Sequence, residues 1–227
     1  MMSKFSSHLD LLGDALSNDS PLTLRHYTSS SLPTHLFEAC FNLIELTSGD
    51  AYRASSKGWS AKAKKAEMKD KDMQYLILLS KQNASTGTSP ESAPTPAQRS
   101  QQNAMQGFVS YMITTDDDVP VIYIYEIHLA ASVRGQGTGK TLMDCVEIIG
   151  KHEGMKKAML TVFISNVDAI RFYTKLGYGK WDEEYIPPKK RLRSRETEQK
   201  KPSYIIMAKT LTEDDGWETE GDDQDDA

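Results

Sequence analysis

The spacing of apolar residues divides the chain into a mostly helical first third and a second half in which strands and helices alternate. Phe5, Leu9, Leu12 and Leu16 fall on one face of a helix over residues 4–17. Residues 21–28 (PLTLRHYT) alternate as a strand does, and Leu32, Leu36, Phe37, Cys40, Leu43, Ile44 and Leu46 recur at helical spacing over residues 32–47. A second helical stretch, residues 49–69, is polar and lysine-rich, with Tyr52 and Trp59 as its large side chains; residues 73–80 then read as a strand. Residues 82–106 have neither periodicity and are rich in Ser, Thr, Pro and Gln, which predicts a long flexible loop between two strands. The returning strand covers residues 107–115, the turn DDDVP follows, and residues 121–130 (VIYIYEIHLA) form a strong β run. A glycine-rich segment over 134–139 opens a helix to about residue 152, followed by a strand over 157–164, a helix over 166–175, a strand over 177–186 and a last strand over 203–209. This order predicts an α/β (α+β) domain, a mixed central β-sheet flanked by helices.

The segment Arg134-Gly135-Gln136-Gly137-Thr138-Gly139-Lys140 lies between a predicted strand and a predicted helix. Glycines let the backbone approach a ligand closely, and amides at a helix N-terminus donate to anions with the dipole behind them, so a diphosphate is the natural guest. A Walker A loop does not fit, because Arg134 stands where its first glycine belongs. A GxGxxG loop fails too: its last position is Lys140 counted from Gly135, or Leu142 counted from Gly137. The pattern (Arg/Gln)-x-x-Gly-x-(Gly/Ala) does fit, through Arg134, Gly137 and Gly139.

A strand bearing Glu126, then this loop, then a helix resembles the GNAT acetyltransferase superfamily. The resemblance continues through Asn166, Ala169, Phe172, Tyr173, Gly177 and Tyr178, which match its N-x-x-A-x-x-(F/L)-Y-x-x-x-G-(F/Y) segment. It spans roughly residues 21–210, and it implies the GNAT acyl-CoA N-acyltransferase fold with acetyl-CoA as co-substrate. By that resemblance Arg134, Gly135, Gln136, Gly137, Thr138, Gly139 and Lys140 hold the pyrophosphate, and Ile127, His128 and Leu129 receive the pantetheine and acetyl carbonyl. Asn166 contacts the cofactor. Tyr173 sits near the sulfur, either protonating the departing thiolate or serving as a core aromatic.

Within the superfamily, Tyr123-Ile124-Tyr125-Glu126-Ile127-His128-Leu129, the stretch Ala51 to Trp59 and the stretch Lys64 to Met68 look like the NatD-type N-alpha-acetyltransferases. Residues 159–163 (MLTVF) add to the likeness; Lys57 departs from it, standing where that family has a tryptophan. The resemblance implies acetylation of the N-terminal α-amine of histone tails beginning Ser-Gly-Arg-Gly, by direct attack in a ternary complex. Chemistry bears on the choice independently: at pH 7 an α-amine of pKa near 7.7–8.0 is roughly a tenth neutral, a lysine far less, so a modest carboxylate base is adequate. Glu126 is the candidate base, or else a structural or peptide-binding carboxylate. His128, two residues on, reads as packing or as a catalytic partner. Regular alternation puts Tyr125 on the face opposite Glu126, and only a β-bulge near Glu126 to Leu129 would aim both at one cleft. A substrate arginine calls for paired carboxylates; the turn Asp116-Asp117-Asp118 is the candidate source unless it is an ordinary polar turn, and the resemblance implies Asp116 among the three. Tyr52, Trp59, Tyr123 and Tyr125 are candidate walls of the peptide pocket.

Charge and composition refine this picture. Net charge is -5, but residues 213–227 hold nine acids and no base, leaving 27 basic against 23 acidic residues elsewhere. Such a block reads as a disordered solvating tail, or one that engages basic partners. The expected organisation is an N-terminal helical extension over 1–20, the acetyltransferase domain over 21–210 and an acidic tail over 211–227. The basic run KKRLRSR, residues 189–195, lies in the 187–202 loop and resembles a nuclear import signal, though a solvated hairpin loop explains it equally. Cytoplasm and nucleus are the expected locations. No apolar run approaches the roughly 20 residues of a membrane span, and Asp10 and Asp14 interrupt what would be a signal peptide. Two cysteines, Cys40 and Cys145, outside any CxxC argue against disulfides and a structural zinc site; Cys145 reads as core. No basic face with readable helices suggests nucleic acid, and a monomer without metal is expected. Two rivals share the cofactor motifs: a lysine or small-polyamine acetyltransferase, and a catalytically silent CoA-binding module.

Overall fold

Continuous apolar strands such as residues 75–79 need cover on both faces, and this chain supplies it with two pairs of helices. The computed structural model describes residue 12 and residues 20–55, 58–81, 104–181 and 203–212. Seven strands form one sheet: β1 (Leu22–Thr28), β2 (Gln74–Ser80), β3 (Met105–Asp116), β4 (Val119–Leu129), β5 (Lys157–Phe163), β6 (Gly179–Lys180) and β7 (Tyr204–Thr210). Their order is β1-β2-β3-β4-β5-β7-β6, and β4–β5 is the parallel pair. The described helices are α1 (Thr34–Ala54), α2 (Ala61–Met68), α3 (Thr138–His152) and α4 (Val167–Lys175). None is long and apolar enough to cross a membrane.

Alternate residues of the strands feed two cores. Tyr75, Ile77 and Phe108 face α1 and α2, where Leu36, Phe37, Cys40, Phe41 and Ile44 make the apolar stripe of α1. Leu76, Leu78, Val109, Tyr111, Ile122 and Ile124 face α3 and α4. Cys145 is buried in this second core, where burial pushes its thiol up to about 12, so it packs as a small hydrophobe. Leu12 is buried there too; the rest of the predicted 4–17 helix lies outside the described residues, as do most of the 82–106 loop, the basic loop and the acidic tail from residue 213.

The elements differ from expectation in two regions. The pattern suggested a break between residues 47 and 49 and one helical stretch over 49–69, but α1 runs unbroken to Ala54 and α2 starts separately at Ala61. A helix-interior glycine costs only about 1 kcal/mol, and Tyr52 in the next turn packs against Trp59 and Phe163, so Gly49 is carried along. Of the strand expected over 177–186, the described part holds the two-residue β6, and residues 182–186 lie outside the described residues. The β3–β4 turn is as expected, with Asp117 and Asp118 at φ 45° and 64°, the two positive values of a type I′ hairpin.

Gly107 in β3 lies so close to β4 that a Cβ there would stand 2.7 Å from the His128 carbonyl oxygen. That contact is backbone and cannot turn aside. Gly107→Ala is expected to lower stability by roughly 1–3 kcal/mol, measured as a reduced urea midpoint. Gly179→Ala, with nothing within 4 Å of the added Cβ, is the control that should leave the midpoint unchanged.

Candidate active site

The site is built on an irregularity in β4. Ser110 of β3 pairs with Glu126, but Tyr111 pairs with Ile124, so Tyr125 is one residue too many. Side chains alternate along a strand, and one surplus residue reverses the alternation beyond it. Before the bulge, Ile122 and Ile124 face α3; after it, Ile127 and Leu129 pack on that side, which turns Glu126 and His128 toward α1 and α2. The β4–β5 ladder also stops here: pairing runs from Val121–Lys157 to Ile124–Leu160 and no further. The strands part, and a cavity of about 660 Å³ opens between them, lined by residues 124–129, residues 160–163, the glycine loop and α4.

Glu126 is 8% exposed on the cavity wall, and every oxygen is engaged. Tyr52 Oη (2.8 Å) and Lys64 Nζ (2.8 Å) donate to Oε1, and His128 Nε2 lies 2.6 Å from Oε2. Lys64, itself 7% exposed, also donates to Tyr52 Oη (2.9 Å) and to Glu67, which uses all three ammonium protons. Burial pushes the Glu126 carboxyl up, but His128 and then Lys64 outweigh it and hold it down at about 2. Burial works against the Lys64 charge, yet Glu126, Tyr52 and Glu67 hold it above the ordinary lysine range. Burial first and Glu126 second raise the Tyr173 phenol, so it stays protonated on the cavity wall.

The glycine loop opens α3 as the pattern predicted. Gly135 and Gly137 have φ 73° and 82°, a left-handed region that suits glycine. The first intrahelical bond is from Thr141 N–H to Gly137 O, so the amides of Thr138, Gly139 and Lys140 precede the ladder and are free of it. Gly139 sits under Phe172, where a Cβ would come within 3.3 Å of the ring. Arg134 Nε donates to Leu129 O (2.9 Å) and Gln136 Nε2 to Ser132 O (2.9 Å), which shapes the loop. Asn166 caps α4, its Oδ1 accepting from Ala169 N–H (3.2 Å), while the residue also lines the cavity. These amides and glycines suit a phosphorylated cofactor.

The structure thus brings Tyr52, Tyr125, Glu126, Ile127, His128, Leu129, Arg134, Gly135, Gly137, Gly139, Lys140, Asn166 and Tyr173 to one cavity. Trp59 stands behind it, stacked on Phe41 at 5.8 Å and tilted against Tyr52 at 5.4 Å. Tyr123 bonds Thr161 Oγ1 at 2.5 Å beside the opening. Asp116 pairs with Val119 at the turn end of the hairpin, outside the residues that line the cavity, and its charge adds to burial in raising the Tyr123 phenol. Sequence reading named Lys64 only as part of a family-like stretch, with no role in the site, and missed Thr47. The signal for Lys64 was its place one turn before buried Met68, an apolar stripe with a lysine in it. Among the described residues, no three His, Cys, Asp or Glu side chains form a metal-sized cluster.

A helix-led anion cradle at the split of a parallel strand pair is the architecture of GNAT-type acetyltransferases. The chain belongs to the acetyltransferase (GNAT) family, whose model matches residues 62–178, just over half of it. It is 27% identical over 185 residues to N-alpha-acetyltransferase 40 of Saccharomyces cerevisiae, covering 70% of this chain and 57% of that protein. The chain therefore spans little more than half the length of that curated relative. In fold it is similar to a chain of the NatC complex bound to Gag peptide and CoA (TM-score 0.53, 14% identity, 85% of this chain, 100% of that one). It is likewise similar to the PaiA N-acetyltransferase of Thermoplasma acidophilum in complex with coenzyme A (TM-score 0.51, 17% identity, 84% and 99%).

Two consequences of the ion network are measurable. Lys64→Met leaves a buried carboxylate short of a cation and is expected to cost roughly 3–5 kcal/mol in denaturant unfolding. A carboxyl held low contributes stability that is present above its ordinary value of 4.5 and is lost as pH falls toward about 2. The stability gap between the native protein and Glu126→Gln should narrow over that window; a constant gap would mean that the charge of Glu126 is not what stabilises.

Proposed function

We propose that the protein transfers the acetyl group of acetyl-CoA to the N-terminal α-amine of histone tails beginning Ser-Gly-Arg-Gly. The observation that carries the reading is the convergence of Tyr52, Lys64 and Glu126. They come from three separate stretches that resemble NatD-type enzymes, and they meet beside a cavity suited to CoA. The 27% identity to N-alpha-acetyltransferase 40 supports it.

In this reading the amides of Thr138, Gly139 and Lys140 receive the pyrophosphate, and Ile127 to Leu129 lie along the pantetheine arm. Bound acetyl-CoA supplies a thioester carbonyl for the amine to attack. Glu126 orients the amine and directs its proton away, directly or through water; a carboxyl near 2 is ionised throughout but passes a proton on rather than keeping it. Tyr173 stays protonated and so donates a hydrogen bond to the departing thiolate. Tyr123 and Tyr125, with ring centroids 5.5 Å apart, wall the peptide approach, and Asp116 receives the substrate arginine. A monomer acting in cytoplasm and nucleus fits the reading, with the basic run as an import signal and histone tails as the partner.

The test is acetyl transfer to a Ser-Gly-Arg-Gly-Lys peptide and to the same peptide blocked at its N-terminus. Only the free peptide should react, and Glu126→Gln should lower kcat/KM by on the order of 100-fold or more. Asp116→Asn should raise KM for this peptide by on the order of tenfold, and not for one with alanine third. Equal reaction of free and blocked peptides would move the chemistry to lysine and overturn the proposal.

A further inference from the structure

We propose that His128 is a titrating positioning residue whose charge sets how readily Glu126 takes a proton, and that His128 exchanges its own proton with solvent through Nδ1 and Thr47. The inference rests on the acetyl-transfer reading above. Its basis is an unbroken chain of contacts from the carboxylate to an exposed hydroxyl. Glu126 Oε2 is 2.6 Å from His128 Nε2, His128 Nδ1 is 2.6 Å from Thr47 Oγ1, and Thr47 Oγ1 is 2.7 Å from Leu43 O. Thr47 is exposed and lines the same cavity as Glu126 and His128.

Hydrogen counting gives this chain two states. The Leu43 carbonyl only accepts, and Thr47 has one hydroxyl hydrogen. When that hydrogen goes to Leu43, Oγ1 must accept from His128 Nδ1–H. Nε2 faces a carboxylate oxygen at hydrogen-bond distance and must carry hydrogen as well. Every contact is then satisfied by the imidazolium. The neutral ring is satisfied only if Thr47 turns its hydroxyl from Leu43 to Nδ1, one bond rotation in an exposed side chain.

The state of the ring decides what Glu126 can do. With the imidazolium on one oxygen and Lys64 on the other, the carboxylate has little affinity for a proton; with the ring neutral, Lys64 is the one cation bonded to it among the described residues. The reaction has a proton to shed. An α-ammonium and a thioester give an amide, a thiol and one free proton: of three N–H hydrogens one stays, one goes to sulfur and one leaves. Glu126 accepts the leaving proton when His128 is neutral. The other groups around His128 are Phe108 of β3, with ring centroids 5.6 Å apart, and, reached through Glu126, Tyr52 of α1, Lys64 and Glu67 of α2 and Tyr173 of α4.

The experiment pairs kinetics with an observation that needs no turnover. In the native enzyme kcat on the free peptide should fall roughly tenfold per pH unit on the acid side. His128→Gln, whose amide can still donate to Glu126 but does not titrate, should flatten that limb. Thr47→Val removes two bonds from the imidazolium state and one from the neutral state, so it should move the limb to lower pH. The His128 ring followed by nitrogen NMR should titrate with the same midpoint as the limb, shift down in Thr47→Val, and shift down further in Glu126→Gln. A limb unchanged in His128→Gln, or a ring titration indifferent to Thr47→Val, would overturn the inference. If no α-amine is acetylated, the acetyl-transfer reading fails by itself, and the ring titration still decides whether Thr47, His128 and Glu126 are coupled.

Discussion

Because Ser110 pairs with Glu126 while Tyr111 pairs with Ile124, β4 carries one residue, Tyr125, that β3 does not match, and everything chemical in this molecule lies downstream of that mismatch. Without it Glu126 would point into the apolar core with Ile122 and Ile124, an isolated carboxylate among hydrocarbons, which costs several kcal/mol or forces protonation. With it, the carboxylate reaches the helices that carry its partners. The same bend ends the β4–β5 ladder and opens the cavity.

The ionic cluster depends on the fold as much as the fold depends on it. Tyr52 comes from the last turns of α1, Lys64 from α2 and Glu126 from β4, so their contacts fasten three segments at one point. A buried lysine and a buried carboxylate stabilise little in net terms, since both lose hydration, but each is costly without the other. Such a pair acts chiefly on specificity: it admits one docking of α2 and penalises others. Ser60 holds the start of α2 by accepting from Ala63 N–H at 3.2 Å, which fixes the depth at which Lys64 enters.

Much of this was legible in the sequence for reasons that are local. The glycine loop announced itself because positive φ at Gly135 and Gly137 restricts residue choice, and β4 because Val, Ile and Tyr crowd into one run. The end of α1 was not legible: Ser48 and Gly49 look like a terminus, and the packing of Tyr52 that carries the helix past them is tertiary. The bulge was recognised as a need and expected near Glu126 to Leu129, but it falls at Tyr125, which differs in no local property from Tyr123. Lys64 was hidden in a lysine-rich helix, where composition alone suggests solvent. Thr47 was invisible, since a hydroxyl gains meaning only from the histidine that reaches it across 81 residues of chain.

The parting of β4 and β5 also creates an edge where a sheet normally has none. Among the described residues, β4 beyond Ile124 is paired to β3 alone, and β5 beyond Leu160 to β7 alone. Edges invite strand addition by other chains, and proteins commonly protect them. This one lines the cavity, where strand-like pairing suits a thin, amide-bearing molecule. Whatever fills the gap binds the folded chain and has nothing to hold in the unfolded one, so occupancy raises stability by mass action. If the acetyl-CoA reading holds, cofactor supply is therefore also a condition on the lifetime of the protein, with scarcity acting on its abundance as well as on its rate.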